Sequence, residues 1–227
     1  MIDTLSSQAS LESADQAEDT KPLMRGWLHL GMAPVAMIVG LLLTALSPTL
    51  ETRLASAAYT LAAVQLFGTS AVYHRGNWSP RMEAVLRRMD HSNINIFIAG
   101  TYTPLAAALL EGTSQWVLLG LIWGLAVAGV VFRLVWLSAP RWLYTVLYVA
   151  MGWVALGWLV PLWQAGGPAV VVLIIVGGVV YSLGAVAYGT KWPRLSPKWF
   201  GFHEVFHAAT IIAAICHMIA IWLAVFA

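Results

Sequence analysis

The sequence predicts an all-α polytopic membrane protein, a bundle of seven transmembrane helices with a cytoplasmic N-terminus and a C-terminus outside. Three observations favour this class. Of the 227 residues, 60% are hydrophobic and only 10% are charged, whereas a soluble domain carries about 25% charged residues. The apolar residues form seven runs, each near the roughly 20 residues that a helix needs to cross a bilayer. The basic residues cluster on one side of these runs.

The seven runs follow one another from residue 27 onward. Segments with Pro, Gly or charged residues separate them, and the longest, the Arg-rich stretch 75–88, is expected to be a loop. Residues 1–22 are polar and acidic, so we expect a disordered cytoplasmic tail before a transmembrane domain of residues 23–227. The runs cover residues 27–46, 53–73, 90–110, 115–136, 142–163, 169–188 and 201–226.

Lysine and arginine set the predicted orientation. With the N-terminus inside, eleven of the twelve basic residues lie in cytoplasmic segments, and only Arg53 lies outside. Cytoplasmic loops of membrane proteins retain these residues. The expected location is therefore the cell (inner or plasma) membrane, crossed several times.

Ionisable residues inside apolar runs are costly, and by default they serve a function. Four of them, His74, Asp90, His203 and His207, lie at the predicted cytoplasmic ends of the second, third and seventh helices. Residues four apart on a helix lie about 40° apart around its axis. His203 and His207 therefore face one way, and Ser70 shares a face with His74.

Spacing alone leaves two interpretations of this cluster open. Three imidazoles form the ligand set of a catalytic zinc site that holds water in its fourth position, with Asp90 beside that water or orienting a ligand. The same side chains can instead form an interhelical hydrogen-bond network. Cys216 is the only cysteine, so a metal must be held by His, carboxylate or water.

The string HEVFH, residues 203–207, matches the HExxH signature of zinc metalloproteases, in which the glutamate is the general base. Glu204 can equally be a favourable acidic residue in the first turn of a helix. A protease site also needs room for an extended peptide, and the segments outside the apolar runs are too short to form a domain that holds one.

Two further histidines are expected to have supporting roles. His217 lies ten residues beyond His207, hence about 15 Å farther along the helix, which is too far to share a metal. An interior hydrogen bond is the expected role of His217. His29 begins the first helix at the depth of the cluster, where we expect an interfacial or network role, with a role as a fourth metal ligand as the alternative.

Three blocks of sequence resemble the hemolysin III family, the bacterial branch of the progestin and adipoQ receptors within a wider membrane hydrolase superfamily. The superfamily pattern is Ser-x-x-x-His, then Asp, then His-x-x-x-His. It occurs here in order at the expected helix ends, in SAVYH (70–74), DHSNI (90–94) and KWPRLSPKWFGFHEVFH (191–207). The resemblance covers the seven apolar runs and leaves out the N-terminal tail.

The resemblance implies roles for five residues. His74, His203 and His207 look like ligands of Zn²⁺, Asp90 like the partner of the water held by the metal, and Ser70 like a group supporting them. In relatives of this type the two histidines of HEVFH are ligands, and no base role is carried over to Glu204.

The resemblance also implies a function. Because the superfamily includes ceramidases, we expect hydrolysis of an amide or ester bond in a membrane lipid, with release of a fatty acid, in membrane lipid homeostasis. A non-enzymatic, zinc-stabilised sensor or regulator of membrane lipids is the alternative. Haemolysis as a secreted cytolysin ranks below both, because a pore former is usually water-soluble before it inserts, and this chain has seven apolar runs and a distribution of basic residues that already sets its orientation.

Overall fold

The computed structural model describes residues 22–193, 195–196 and 198–227. This part of the chain is almost entirely helical and has no β-strand, so the all-α class is confirmed. Residues 1–21, which hold nearly all of the expected disordered tail, lie outside the described residues. The elements are α1 (Trp27–Leu46), α2 (Leu50–Arg75), α3 (Pro80–Leu109), α4 (Gly112–Val135), α5 (Arg141–Gly152), a 3₁₀ helix (Trp153–Trp158), α6 (Leu159–Thr190) and α7 (Phe202–Val225).

The start of α3 differs from the prediction. The expectation of a loop over residues 75–88 was wrong for its second half, because α3 begins at Pro80. The Ser79 hydroxyl accepts a hydrogen bond from the Met82 N–H at 3.4 Å, and proline is favoured at the first position of a helix. Because the helix begins at this cap, it includes most of the Arg-rich stretch. Arg81, Arg87 and Arg88 are therefore helical residues.

Four helical stretches of the described chain are long and apolar enough to cross a membrane. They are α1, α4, the 50-residue stretch Arg141–Thr190 and α7. The helices α2 and α3 are not among them, and both carry buried polar side chains such as Ser56, Asn93 and Asp90. The expected seven spans and the sides on which the termini lie therefore stay predictions.

The 50-residue stretch is interrupted at two places. Gly167 has φ 75° and ψ 179°, a conformation that favours glycine, and Pro168 follows it. This break lies inside the connection expected at residues 164–168. Farther back, the Tyr102 hydroxyl of α3 donates to the Gly152 carbonyl at 2.6 Å and accepts from the Ala155 N–H at 2.8 Å, which ties the 3₁₀ segment to α3.

Small residues let the helices approach closely. A Cβ on Gly100 of α3 would lie 2.7 Å from the Cβ of Ala62 on α2, and one on Gly184 of α6 would lie 2.6 Å from the Cβ of Ala209 on α7. Such contacts are typical of helix packing in membranes. Consecutive helices pack side by side, and α7 closes the bundle against α6, α3 and α1. The ends of α1, α2 and α7 near His29, His74 and His203 meet beside Asp90, which lies within α3; we call this region the histidine end.

Candidate metal centre

The first turn of α7 is held by Glu204. Its carboxylate accepts a hydrogen bond from the Gly201 N–H at 2.8 Å through one oxygen and forms an ion pair with Arg25 through the other. Glu204 is fully buried. An acid in this position satisfies N–H groups that a helix start leaves unpaired. Because both of its oxygens are engaged, Glu204 is not a free general base, and HEVFH has no metalloprotease arrangement here.

Three imidazoles converge at the histidine end. His203 and His207 lie one turn apart on α7, with ring centroids 4.5 Å apart, and His74 on α2 lies 4.7 Å and 5.2 Å from them. One nitrogen from each ring lies within 4.8 Å of the other two. The Nε2 atoms of His74 and His203 are 3.2 Å apart. These three residues form a group that could hold a metal ion.

One of the nitrogen–nitrogen distances in this group matches the spacing of two ligands on a zinc ion. Tetrahedral zinc binds histidine nitrogen at about 2.0–2.1 Å, which places two such nitrogens about 3.3 Å apart. The 3.2 Å between the Nε2 atoms of His74 and His203 is close to that value. The donor set, three nitrogens and a nearby carboxylate, is also one that zinc takes. The donor set and the His74–His203 distance therefore fit zinc, the metal that the family resemblance implies.

Asp90 and Ser70 lie next to this group. The Oδ2 of Asp90 is 3.8 Å from the Nε2 of His74, and the aspartate is buried. The Ser70 hydroxyl is buried beside the Asp90 carboxyl, although it makes no hydrogen bond of ordinary geometry. All five residues singled out in the sequence thus lie together at the histidine end.

His29 is closer to this centre than the sequence suggested. Its ring stacks on that of His207 with centroids 3.8 Å apart and planes 9° apart, and its edge meets Phe67. It is buried, and neither of its nitrogens makes a hydrogen bond of ordinary geometry. The position of His29 near the start of α1 indicated in the sequence that it lies at the same depth as the other histidines. Which face of α1 meets α7 depends on how the helices pack, so the stacking on His207 could not be predicted.

An apolar cavity extends from the centre into the bundle between α3, α5, α6 and α7. Asp90, His203 and His207 lie at one end, and His217 lies along its wall. The His217 Nε2 is 3.2 Å from the carbonyl oxygen of Ile174, so the expected interior hydrogen bond is confirmed.

A second cavity, polar and about 600 Å³ in volume, opens on the other side of the centre. Its wall includes His74, His203 and several arginines. The two cavities share four lining residues, His91, Tyr144, Tyr188 and His203. The histidine group therefore lies where an apolar and a polar cavity meet.

Comparison with known proteins agrees with the sequence blocks. The family model described as "Haemolysin-III related" matches residues 18–218. The chain belongs to this family. The candidate metal centre lies within the matched residues, as do both cavities of this haemolysin-III-related protein.

Curated relatives come from bacteria and yeast. The chain is 34% identical to Hemolysin-3 of Bacillus cereus over 116 residues, which are 51% of this chain and 52% of that protein. It is 38% identical to the Hemolysin-3 homolog of Bacillus subtilis (strain 168) over 119 residues, 52% of this chain and 56% of that one. The chain spans about half the length of these relatives. It is also 40% identical to the ADIPOR-like receptor IZH2 of Saccharomyces cerevisiae over 50 residues, 20% of this chain and 16% of the receptor.

Membership of the haemolysin-III-related family and the apolar helices together establish a membrane protein that is similar to adiponectin-receptor-like proteins.

Proposed function

We propose that this protein is a metal-dependent hydrolase that cleaves an amide or ester bond in a membrane lipid. One observation carries the proposal: three histidines and a buried aspartate converge where an apolar cavity meets a polar one. A lipid has the same division, since acyl chains adjoin a polar headgroup at the bond that a hydrolase would cut.

The proposed arrangement in the membrane has seven spans. The break at Gly167 divides the stretch Arg141–Thr190 into two, and α2 and α3 cross with their polar side chains turned inward. The distribution of positive charges supports an N-terminus inside and a C-terminus outside. The histidine end faces the cytoplasm, in the cell membrane, and residues 23–227 form the transmembrane domain behind a cytoplasmic tail.

Zinc, when bound by His74, His203 and His207, would supply Lewis acidity and lower the pKa of a water molecule toward about 7. Asp90 would accept the proton of the attacking water and return it to the leaving group, a role that typically contributes 10²–10⁴-fold, as an order of magnitude. Ser70, beside Asp90, would orient that carboxyl or donate to the developing oxyanion.

The two cavities would set the orientation of the bound lipid substrate. The apolar cavity would take the acyl chain, and its walls would exclude water from the fatty acid. The polar cavity would hold the headgroup and admit water. The scissile bond would then lie beside Asp90 and the histidines, and the product released would be a fatty acid.

The proposal is tested with purified protein in vesicles that contain ceramides or phospholipids. We expect fatty acid release that Asp90→Asn lowers by about 10²–10⁴-fold while the metal content stays at one ion per chain. Glu111→Gln removes an exposed carboxylate at the start of α4 and should leave turnover unchanged. Full turnover in Asp90→Asn, or no release from any of these lipids by the metal-loaded protein, would contradict the proposal.

One observation favours a second function, a zinc-stabilised sensor or regulator of membrane lipids. The centre joins the ends of α2 and α7, and His29 of α1 stacks on it, so a bound metal would brace three helices. A protein that binds zinc, hydrolyses no lipid and still changes the lipid composition of cells would support this alternative.

A further inference from the structure

The polar cavity has an unusual set of charges. Four of its lining residues are arginines from different parts of the chain: Arg25 before α1, Arg87 on α3, Arg133 on α4 and Arg141 on α5. Glu83 is the only acidic residue among the described lining residues. Charges gathered from four separate segments onto one cavity wall create a strong positive potential inside it.

Among the residues that the structure describes, only one of these four arginines has an acidic partner. Arg25 forms the ion pair with Glu204. In the described part of the chain, Arg87, Arg133 and Arg141 have no carboxylate within ion-pair distance. Three unpaired guanidinium groups and one carboxylate leave an excess of two positive charges on the wall.

The burial of Arg133 shows that the excess of positive charge is not explained by side-chain packing alone. Its side chain is 1% exposed, and its Nε and Nη1 atoms have no hydrogen-bond partner. The Nη2 atom lies 2.6 Å from the Nδ1 of His91, and the guanidinium lies 4.3 Å from the centroid of the Tyr144 ring. These neighbours are polar or aromatic, but neither is a fixed anion. A buried charge without a counter-charge is costly, so this arrangement favours an anion in the cavity.

Arg141 stands on the same wall and is less buried. Its Nη1 donates to the Tyr188 carbonyl at 3.5 Å, and its guanidinium lies 4.9 Å from the Tyr188 ring centroid. Placement on the cytoplasmic side of a membrane protein explains exposed arginines such as Arg81. It does not explain why Arg133 is buried and why both residues line one cavity.

We propose that this cavity binds a phosphate group, held by Arg133 and Arg141 and assisted by Arg87. Arginine is suited to phosphate because its planar group donates two parallel hydrogen bonds. The cavity also contains His74 and His203, so a phosphate bound there would lie on the polar side of the metal centre. Resting on the proposed hydrolase function, this assigns the substrate class: a lipid with a phosphate in its headgroup and its acyl chain in the apolar cavity.

The test measures binding in the full-length protein in neutral detergent micelles. The probes are inorganic phosphate, phosphatidic acid, and diacylglycerol, which lacks only the phosphate of phosphatidic acid. All three are titrated against wild type, Asp90→Asn, Arg141→Gln and Arg81→Gln. We expect phosphatidic acid to bind at least about tenfold more tightly than diacylglycerol, because charge-assisted hydrogen bonds contribute strongly.

The variants distinguish binding at specific arginines of the cavity from nonspecific attraction to the positive charge of the whole protein. Arg141→Gln should lower phosphatidic acid binding about tenfold and leave diacylglycerol binding unchanged. Arg81→Gln removes the same charge from an exposed position on α3 outside the cavity and should change neither. Arg133→Gln should abolish the preference if thermal unfolding shows that it folds. Otherwise Arg141→Gln decides. Equal losses in Arg81→Gln and Arg141→Gln, or equal binding of the two lipids to wild type together with no Arg141-dependent binding of inorganic phosphate, would overturn the proposal.

The remaining outcomes identify the source of the phosphate and separate this proposal from the hydrolase. Tight binding of inorganic phosphate that depends on Arg141, without a preference between the lipids, supports the anion site but overturns the lipid assignment. A preference for phosphatidic acid retained in Asp90→Asn, with no hydrolysis by wild type, supports the phosphate site while the hydrolase fails. Hydrolysis at the same rate for lipids with and without a headgroup phosphate would overturn the phosphate site, while the hydrolase proposal would stand.

Discussion

The two cavities at the histidine end differ in polarity and in the parts of the helices that line them, although they share four lining residues. The apolar cavity is lined by the middle of α3, α5, α6 and α7, with Phe97 and Tyr181 on its wall. The polar cavity is lined by helix ends and by the residues before α1, and four arginines face it. His203 belongs to both cavities.

The difference shows that the position of the centre matters as much as its ligands. A group of three histidines deep in the apolar cavity would have no route for water, and one at the outer wall of the polar cavity would not contact an acyl chain. At the boundary the same three side chains can meet both parts of an amphiphile. The following predictions test this boundary from both sides.

The largest effect is expected at the boundary itself. His207→Ala removes one of three nitrogen donors, so the purified protein should lose its bound metal nearly completely, since zinc affinity depends on the full ligand set. Elemental analysis by mass spectrometry measures metal per chain. His217→Ala removes a histidine from the same helix outside the group and should retain about one ion. Retained metal in His207→Ala would refute this ligand set.

On the polar side, Glu204→Gln should destabilise the protein by about 2 kcal/mol, because it leaves Arg25 without its ion-pair partner. Thermal unfolding in detergent measures the loss. Arg25→Gln should cost a similar amount, and the double variant should cost less than the sum. Metal content should stay at one ion per chain. Turnover abolished in a folded, metal-loaded Glu204→Gln protein would instead restore a catalytic role for this glutamate.

On the apolar side, Ala185→Leu places a larger side chain in the cavity wall. Turnover of long-chain lipids should fall about tenfold, equivalent to about 1.4 kcal/mol, whereas short-chain lipids should be affected less. Comparing kcat/KM across chain lengths checks this. Val186→Leu, on the neighbouring exposed position, is the matched control. An equal loss for short and long chains would show that the cavity does not hold the acyl group.

The smallest effect is expected from Tyr102→Phe, which removes the two hydrogen bonds from α3 to the end of α5 and to the 3₁₀ segment. Hydrogen bonds between membrane helices contribute about 0.6 kcal/mol on average, so a loss of about 1 kcal/mol in unfolding free energy is expected. Tyr102 also lines the apolar cavity, but the variant keeps the aromatic ring in that wall, so binding of both lipids should change little. A large change in lipid binding would mean that this tyrosine takes part in the site and is not only a support.

Much of the fold could be predicted from local patterns in the sequence. The helical class and the ends of α1 and α7 follow from apolar runs and from the residues that flank them. The pairing of His203 with His207 follows from the pitch of one helix. The late start predicted for the third helix was wrong, because Ser79 and Pro80 form a cap that outweighs the charged residues after it.

The sequence by itself determined the helices, the spacing of the histidines on α7 and the blocks that mark the family, because each depends on residues close together in the chain. Tertiary structure alone decided that His29 stacks on His207, that Glu204 is occupied by Arg25 and that Arg133 is buried beside the polar cavity. These features join residues from 42 to 179 positions apart. Helical pitch sets the direction of a side chain on its own helix, but only the packing of all helices decides which face meets which.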